Sequence, residues 1–261
     1  MKKNPQNLPV ISIVTPSLNQ GKYIEKTIKS VLDQQYPCLE HIIMDGGSID
    51  NTLDILKKYQ KNLVWQSAKD KGQSAAINKG LKKSAGDILC YINSDDYLLP
   101  RSLHQVARIF QENQKVMWLT GKCRIVDENN RQVRQAVTFY KNFFLKFFRS
   151  SQIFSIVQFI SQPSTFWRRS VTEKIGYFDE SLNYDMDYDY WLRIWQKYPL
   201  YFLDDYLSAY RIHPSAKAVV SPATQFKVQY KIVKKYRKNI FLLLLHRLHA
   251  RIALIIYRFF Y

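Results

Sequence analysis

The chain has 261 residues, of which 46% are hydrophobic and 23% are charged. This is the composition of an ordinary globular protein, and it excludes collagen-like and wholly disordered chains. The formal net charge of +18 comes from 39 lysines and arginines against 21 aspartates and glutamates, which indicates an anionic partner such as nucleic acid or an anionic membrane surface.

Short apolar runs alternate with helical patterns in the first part of the chain. Strands are predicted at residues 10–15, 39–44, 63–65 and 87–92, with a helix after each of the first three. Strands separated by helices of this length predict βαβ units and a mostly parallel sheet. Because such sheets bind ligands beyond the carboxyl ends of their strands, we expect the functional site there.

Carboxylates, and not glycine-rich loops, follow these predicted strands. The sequence has no GxxxxGK[ST] motif and no GxGxxG after the first strand, which argues against P-loop NTPases and dinucleotide-dependent oxidoreductases. The residues found there instead are Asp45, Asp70, Asp95 and Asp96. Since carboxylates repel phosphate unless a divalent cation lies between them, these strand ends predict a metal-bridged nucleotide.

The segment 93–96, Asn-Ser-Asp-Asp, carries two adjacent carboxylates. One can bond a ribose hydroxyl while the other binds Mg²⁺ or Mn²⁺, which prefer oxygen ligands. The alternative is a strand-ending turn with a helix N-cap before Pro100, where aspartate is common.

The second half of the chain is less regular. Strands are predicted near residues 116–126, 162–167 and 202–212, and an amphipathic helix near 190–197. An acidic, aromatic cluster at residues 184–189 precedes that helix.

The cysteines and the amino-terminal segment indicate the compartment. Cys38, Cys90 and Cys123 are odd in number and form no CxxC pair, which is typical of a reducing compartment and argues against a cysteine-rich zinc site. Residues 1–5 lead directly into the first strand without the hydrophobic region of a signal peptide. We therefore expect a cytoplasmic protein.

Four segments, in this order, resemble glycosyltransferase family 2, the inverting nucleotide-sugar transferases with the GT-A fold. They are residues 10–19 (VISIVTPSLN), 45–52 (DGGSIDNT), 70–80 (DKGQSAAINKG) and 86–96 (GDILCYINSDD). The resemblance covers about residues 10–213. It implies an α/β protein of the three-layer α/β/α GT-A type that uses Mg²⁺ or Mn²⁺.

The resemblance also implies a domain organisation and a reaction. A catalytic domain at residues 1–220 would have a nucleotide-binding half at about 8–110 and an acceptor half at about 111–220. A basic, amphipathic helical tail would follow at 221–261. The enzyme would move a sugar from a nucleoside-diphosphate donor to a saccharide acceptor, plausibly lipid-linked, in polysaccharide or glycoconjugate synthesis, with no nucleic-acid partner.

The residues that the resemblance implies for the donor and its cation lie in these motifs and one late motif. The implied donor-binding residues are Thr15, Pro16, Asn19, Asp45, Asp70, Asn78 and Asp95. Asp96 is implied as a metal ligand, together with His213 in a late Tyr-Arg-Ile-His motif. Asn93 stands where many members have aspartate, which removes one charge and leaves Asp96. A structural role is the alternative for His213.

An inverting transfer needs a carboxylate that takes the proton of the acceptor hydroxyl. The resemblance implies Asp187 for this role, with Asp185 as the second choice, and we expect Asp189 to cap the helix that follows. On the acceptor or diphosphate side the implied residues are Gln162 and Trp167, the second of which could equally belong to the core.

The C-terminal tail is basic and apolar. The 56 residues after Asp205 contain 11 lysines and arginines and no acidic residue. Residues 241–261 are long enough to span a bilayer, but Arg247, Arg251 and Arg258 would lie within about 40° of one another on one side of a helix, and buried arginines are costly in a bilayer. This pattern predicts a helix in the membrane interface, with the protein peripheral on the inner face of the cell membrane.

Three alternatives remain open at this point. The tail could instead be a helix that packs on the core. A nucleotidyltransferase also uses paired aspartates and a divalent metal, but its first loop should be basic, and here that loop has only Lys22. A non-enzymatic nucleic-acid-binding protein would need aromatic residues interleaved with basic ones, whereas residues 241–245 are entirely apolar.

Overall fold

A computed structural model of the chain describes residues 8–216 and 221–260, the last four of these by their backbone alone. The strands are β1 (Ile11–Ser17), β2 (Leu39–Asp45), β3 (Val64–Ser67), β4 (Ile88–Tyr91), β5 (Tyr97–Leu98), β6 (Trp118–Val126), β7 (Thr165–Arg168) and β8 (Tyr201–Arg211). In this part of the chain they form one sheet in the order β3-β2-β1-β4-β7-β6-β8-β5.

The helices lie between and after these strands. They are α1 (Ile24–Leu32), α2 (Thr52–Tyr59), α3 (Gln73–Lys83), α4 (Ser102–Glu112), α5 (Gln135–Phe147), α6 (Ser151–Phe154), α7 (Arg169–Ile175), α8 (Met186–Trp195), α9 (Pro222–Tyr236) and α10 (Ile240–Phe260). A short 3₁₀ turn, Gln162–Ser164, directly precedes β7.

The amino-terminal half of the sheet is parallel, as the alternation of strands and helices predicts. β1 pairs in parallel with β2 on one side and with β4 on the other, and β2 pairs in parallel with β3. β7 then runs antiparallel to both β4 and β6, so the sheet is mixed. The carboxyl ends of β1 to β4 therefore meet at one edge, which is where a ligand site is expected.

The central strands send alternate side chains into two cores, because successive residues of a strand face opposite sides of the sheet. Val14 and Leu89 belong to the core that also contains residues of α3 and α8. Ile13 and Cys90 belong to the core that contains residues of α1 and α4. Helices thus cover both sides of the sheet, which gives three layers.

Helix α3 packs unusually close to the sheet. A Cβ added to Gly80 would lie 2.4 Å from Cγ1 of Val14 in β1 and 3.3 Å from Cγ of Met44 in β2. Only a residue without a side chain fits at this point. The close packing sets the position of the first turn of α3, beside the carboxyl edge.

The last two helices pack on the body of the protein. Ile232 and Val233 of α9 are buried in the core that contains α8. In α10, His246 is 2% exposed and its Nδ1 lies 2.9 Å from the carbonyl oxygen of Ser155. No helix in the described part of the chain is both long enough and apolar enough to cross a membrane.

Candidate active site

Two loops at the carboxyl edge are tied together by the side chain of Asn19. Its backbone is in the left-handed region, with φ of 52°. Its backbone N–H donates to Ser48 Oγ at 2.7 Å, and its Oδ1 accepts from the backbone N–H of Ile49 at 2.9 Å. Asn19 therefore joins the loop after β1 to the loop after β2.

Asp45, at the end of β2, organises the loop that follows it. The residue is 2% exposed. Its carboxylate accepts from the backbone N–H groups of Gly47 and Ser48 and from the hydroxyls of Ser48 and Ser67. With this many donors already bound, the Asp45 carboxylate holds the loop after β2 in position.

Thr15 and Pro16 lie in β1 and are buried. The hydroxyl of Thr15 lies 3.0 Å from His41 Nε2 in β2. Burial lowers the pKa of His41 to about 3, so this imidazole is neutral at physiological pH. The Thr15 side chain is thus part of a neutral polar pair inside the sheet.

Asp70 is half-exposed and lies against the loop after β2. Its Oδ1 accepts from the backbone N–H of Gly72 at 2.8 Å. Its Oδ2 lies 3.1 Å from the position that a Cβ on Gly46 would occupy, so the absence of a side chain at Gly46 allows the approach. Among the expected donor residues, Asp70 therefore offers an accessible carboxylate.

Asn78 faces away from this edge and holds a different segment. Its Nδ2 donates to the carbonyl oxygen of Phe178 and to Glu180 Oε1, both at 2.9 Å, and its Oδ1 accepts from the backbone N–H of Phe178. Because both polar atoms of its amide are engaged and the residue is 3% exposed, Asn78 attaches α3 to the segment before α8.

The two adjacent aspartates after β4 have opposite environments. Asp96 is fully buried, and its Oδ1 accepts from the backbone N–H of Arg211 at 2.9 Å. Burial and the neighbouring charge of Asp95 raise the pKa of Asp96 well above its ordinary value. The side chain of Asp95 is 20% exposed, and its Oδ2 lies 3.0 Å from His213 Nε2.

The metal role expected of Asp96 and the donor role expected of Asp95 stay predictions, but the surroundings of the two carboxylates differ. Asp95, not Asp96, presents its carboxylate beside His213. Nδ1 of His213 lies 2.9 Å from Ser215 Oγ, and this contact orients the ring.

Arg211 is a site residue that the sequence did not reveal. Its guanidinium donates to the carbonyl oxygen of Asp95 at 2.7 Å and to Asn130 Oδ1 at 2.6 Å. It also lies over the Tyr23 ring, 5.0 Å from the centroid. Together with its backbone bond to Asp96, these contacts fix the segment that carries both aspartates. The sequence feature that could have identified Arg211 is its position two residues before His213 in the Tyr-Arg-Ile-His motif.

The acidic cluster at the start of α8 separates into three environments. Asp185 is 7% exposed, and its Oδ1 accepts from the amides of Gln225 and Gln229 in α9. Burial and the charge of Asp187 raise the pKa of Asp185 to about 7. Asp187 is half-exposed, so its carboxylate is the more accessible of the two.

Asp187 and Asp189 differ in what their carboxylates bind. Burial raises the pKa of Asp187, and the backbone N–H groups at the start of α8, with the charge of Lys141, oppose this shift. The expectation that Asp189 caps the helix is wrong. It lies inside α8, 1% exposed, and accepts from Arg193 Nε at 2.9 Å and from the Tyr236 hydroxyl at 2.6 Å. It therefore joins α8 to α9.

Two contacts bring the base candidate to the donor edge. Gln73 Nε2 in the first turn of α3 donates to Asn93 Oδ1 at 2.7 Å. The hydroxyl of Ser74, the next residue, lies 2.7 Å from Met186 Sδ at the start of α8. The end of β4, the start of α3 and the start of α8 thus converge.

Gln162 and Trp167, both expected on the acceptor or diphosphate side, have different surroundings in the structure. Gln162 is 8% exposed and donates through Nε2 to the carbonyl oxygen of Tyr91, at the end of β4. Trp167 is fully buried, and its Nε1 donates to Thr172 Oγ1 at 2.8 Å. The acceptor-side role expected for Trp167 is thereby corrected, since a side chain without exposed surface lines no cleft.

A carboxylate and an imidazole are groups that bind divalent cations. The His213 side chain is 2% exposed and its two nitrogens contact Ser215 Oγ and Asp95 Oδ2, so a cation at this pair would replace the contact between His213 and Asp95. Among the described residues no group of three or more histidines, cysteines, aspartates or glutamates could hold a metal ion. A cation at this pair would therefore need further oxygen ligands from a bound molecule, and a diphosphate supplies them.

Comparison with known proteins identifies the family. The Glycosyl transferase family 2 model matches residues 12–176. The chain is similar to the putative teichuronic acid biosynthesis glycosyltransferase TuaG of Bacillus subtilis, at 36% identity over 118 residues, which are 43% of this chain and 46% of TuaG. The family match favours the glycosyltransferase interpretation over the nucleotidyltransferase and nucleic-acid-binding alternatives.

Two solved structures show the fold. Staphylococcus aureus TarS 1–349 in complex with UDP-GlcNAc has a TM-score of 0.66 at 24% identity, covering 85% of this chain and 65% of that one. The Pyrobaculum calidifontis mannosyltransferase PcManGT, in complex with GDP-Man and Mn²⁺, has a TM-score of 0.68 at 16% identity, covering 90% and 66%. The expected GT-A-type fold is confirmed.

Proposed function

The chain belongs to Glycosyl transferase family 2, and from this premise we propose that it transfers a sugar, with inversion, from a nucleoside-diphosphate donor to a saccharide acceptor. The observation that carries the proposal is the convergence of an accessible carboxylate, Asp187, with the paired Asp95 and His213 at one sheet edge. The contacts of Gln73 with Asn93 and of Ser74 with Met186 join these parts of the site. The similarity to TuaG supports a polysaccharide product.

The donor would bind along the loops after β1, β2 and β3. Asn19 and Asp45 hold the first two loops in place, and Asp70 provides a half-exposed carboxylate for the base or the ribose. We assign Thr15, Pro16 and Asn78 to the support of these loops, because their side chains are buried. The structure of a relative bound to UDP-GlcNAc supports a nucleotide sugar as the donor class.

The diphosphate would lie beside Asp95 and His213. These two residues would hold a divalent cation, and Asp96 and Arg211 would keep Asp95 in place from behind. Such a cation would supply charge neutralisation for the departing diphosphate, so that no general acid is needed. Mn²⁺ in a related structure supports this assignment.

Asp187 would act as the general base. It is the second residue of α8, so its backbone position is set by the first turn of that helix. The acceptor oxygen attacks the anomeric carbon, and its proton passes to the Asp187 carboxylate. The bond between the anomeric carbon and the diphosphate oxygen breaks, and the nucleoside diphosphate leaves with the bonding electrons. A single displacement of this kind inverts the configuration.

The acceptor would be attached to a membrane lipid. Large apolar side chains are exposed on α5, where Phe139 is 72% and Phe147 is 64% exposed, and on α10, where Phe241 is 64% and Leu248 is 54% exposed. Tyr140 of α5 and His249 of α10 stack with ring centroids 6.2 Å apart, so the two faces adjoin. An apolar surface with neighbouring arginines fits an anionic bilayer, and we place the protein peripherally on the inner face of the cell membrane.

A donor panel tests the proposed function. The full chain is heated with UDP- and GDP-linked sugars, each with and without Mn²⁺. A donor at 100 times its Kd should stabilise the protein by about 2.7 kcal/mol. We expect one donor to do so, and to do so more strongly with Mn²⁺. The function would be refuted if no nucleotide sugar changed the melting temperature under either condition.

A further inference from the structure

Lys141 lies on the side of α5 that faces the body of the protein. Thr138, one turn before it, is 3% exposed, and Leu145, one turn after it, is 1% exposed. Lys141 itself is half-buried. Removing an ammonium group from water is costly unless another charge compensates it. We therefore expect an anionic group to lie next to the Lys141 ammonium.

The protein does not supply that partner within the described residues. The nearby Lys122 and Lys146 both form ion pairs with Asp204, whereas no described residue makes a hydrogen bond or an ion pair with Lys141. The hydroxyl of Thr138, on the same side of α5, is also buried without a hydrogen-bond partner among them. One cation and one hydroxyl, three residues apart on a helix, are thus left for a ligand.

The charge of Lys141 acts on the proposed general base. Burial lowers the pKa of Lys141, and the charges of Cys123 and Asp187 oppose this shift. Lys141 in turn opposes the rise that burial causes in the pKa of Asp187. No ion pair within 4.0 Å joins Lys141 to Asp187 or to any other described carboxylate. The Lys141 ammonium is therefore left for an anion that a substrate brings.

The other side of α5 indicates which anion this is. Phe139, Phe143 and Phe147 are exposed there and belong to the surface that we assign to the membrane. An α-helix with its side chains is about 10–12 Å across. Lys141 therefore lies about one helix width from the apolar surface. The head-group layer of a bilayer extends about 5–7 Å beyond its hydrocarbon, so a lysine set back from the apolar surface is on the side of the lipid phosphates and not of the lipid chains.

We propose that Lys141, together with Thr138, binds the phosphoryl group that joins a lipid to the acceptor saccharide. The inference rests on the proposed function, since it assigns a substrate class to the acceptor half of that site. Lys141 is a binding residue for the acceptor, and it leaves donor binding to the loops at the other end of the cleft.

Binding of an alkyl phosphate tests the inference. Full-length parent, Lys141→Gln and Lys141→Arg proteins are titrated by calorimetry with dodecyl phosphate, below its micellar concentration, and with inorganic phosphate. Dodecyl maltoside has the same alkyl chain without charge and measures the contribution of the chain. Lys146→Gln is the matched control, since Lys146 lies on the same helix and is paired with Asp204. UDP and GDP with Mn²⁺ form a separate arm.

We expect Lys141→Gln to weaken dodecyl phosphate binding by about tenfold or more, the range of a hydrogen bond to a charged group. Lys141→Arg and Lys146→Gln should bind it as the parent does, and the nucleotide arm should not change. Equal affinity of Lys141→Gln and parent for dodecyl phosphate would overturn the inference, as would a loss of nucleotide affinity in Lys141→Gln. If inorganic phosphate bound as tightly as dodecyl phosphate, the inference that the phosphoryl group belongs to a lipid would be overturned. A failure of the proposed function would be seen in the donor panel instead.

Discussion

Asp95 and Asp96 share a motif, but of the two only the Asp95 side chain has exposed surface in the structure. The Asp96 carboxylate is enclosed and bonded to the backbone of Arg211, whereas the Asp95 carboxylate meets His213 at 3.0 Å with part of its surface exposed. The sequence alone assigns the metal to Asp96. The structure favours Asp95, because a ligand for a cation that a substrate shares must be accessible to that substrate.

We predict that Asp95→Asn loses the metal response of donor binding and that Asp96→Asn keeps it. Burial raises the pKa of Asp96, so asparagine replaces a carboxyl group that is already disposed to be neutral. Calorimetric titration of the donor with and without Mn²⁺ measures the response, and thermal unfolding confirms that both variants fold. If Asp96→Asn alone abolished the response, the assignment would return to Asp96.

Asp187→Asn should bind donor normally and lose transfer. A positioned general base contributes about 10²–10⁴-fold to the rate. The amide keeps the size of the side chain and an oxygen for the backbone N–H groups, but it cannot accept the proton. Donor affinity and transfer rate are measured on the same preparation. A variant that transfers at the parental rate would move the base elsewhere.

Asp185 should make the stability of the protein depend on pH. Its pKa is about 7 in the folded protein, against an ordinary value of 3.8. Between these values the folded state holds a proton that the unfolded chain releases, so stability falls as pH rises, by at most about 1.4 kcal/mol per pH unit. The groups facing it are Asp187 on its own helix and the neutral Gln225 and Gln229 on α9.

Asp185→Asn should remove this loss, so that the variant is more stable than the parent at pH 8 and similar to it at pH 4. Urea unfolding at both values measures the difference. Asp204→Asn is the control without such a slope. The hydrogen bond from Lys122 lowers the pKa of Asp204 from 3.8, so this carboxylate is charged in the folded and the unfolded chain over most of this pH range. An unchanged pH slope in Asp185→Asn would show that Asp185 does not titrate in this range.

The candidate site could be predicted from the sequence where its residues follow strands. Asp70 and Asp95 were identified in this way, whereas Asp187 was implied by the resemblance, and the structure leaves all three partly exposed. The sequence could not show that Trp167 is enclosed or that Asn78 bonds the 178–180 segment, because both depend on contacts between distant parts of the chain. The metal and catalytic roles of these residues stay predictions until they are tested.

At the scale of elements, the parallel strands were predictable because their apolar runs are bounded by polar turns. The last predicted strand, 202–212, is confirmed as β8, Tyr201–Arg211. Helix α5 was not predicted. Its largest apolar side chains, including Phe139 and Phe147, lie on its outer side. The sequence pattern therefore does not show one apolar and one polar side of a helix. β5 has two residues, which is too short for any periodic pattern.

Gly80 offers a test of how closely α3 must pack on the sheet. Alanine is normally favoured over glycine inside a helix by about 1 kcal/mol, but here its Cβ would meet Val14 Cγ1 at 2.4 Å. We expect Gly80→Ala to lower the free energy of unfolding by about 1–3 kcal/mol, the usual cost of overpacking.

The matched experiment is the double variant Gly80→Ala with Val14→Ala. Removing the Val14 methyl groups makes space for the new Cβ, so the double variant should lose less stability than the sum of the two single variants. Urea unfolding of all four proteins gives the coupling free energy. Strict additivity would show that α3 shifts away from β1 without resistance.

At the scale of the whole molecule, the C-terminal helix α10 has features of both alternatives considered for it, a helix that packs on the core and a helix with an exposed apolar side. One face of α10 packs on the body through His246 and Ala250, which are 2% and 9% exposed. Its opposite face exposes an apolar stripe, whose members are Phe241, Leu244, Leu248, Ile252 and Ile255. Arg247 and Arg251 lie along one edge of this stripe. The side chain of Arg258 is outside the described residues.

This arrangement predicts salt-sensitive binding to anionic membranes. Full-length protein should sediment with anionic liposomes at low salt, and Arg247→Glu with Arg251→Glu should weaken sedimentation, since each basic residue near such a surface contributes about 1 kcal/mol. Higher salt should weaken it as well, because the attraction is screened over about a Debye length. Leu248→Ser with Ile252→Ser should reduce binding at any salt concentration, through the loss of apolar contact.

The control for these variants is Val64→Ser, which removes an apolar side chain, 58% exposed, from the edge strand β3. It should leave sedimentation unchanged, because β3 lies at the opposite edge of the sheet from β8 and β5. Neutral liposomes should bind the parent more weakly than anionic ones, since only the apolar contact remains. If the full-length protein stayed in the supernatant with anionic liposomes at low salt, the apolar surface of α5 and α10 would have to meet another partner, and the membrane assignment would be refuted.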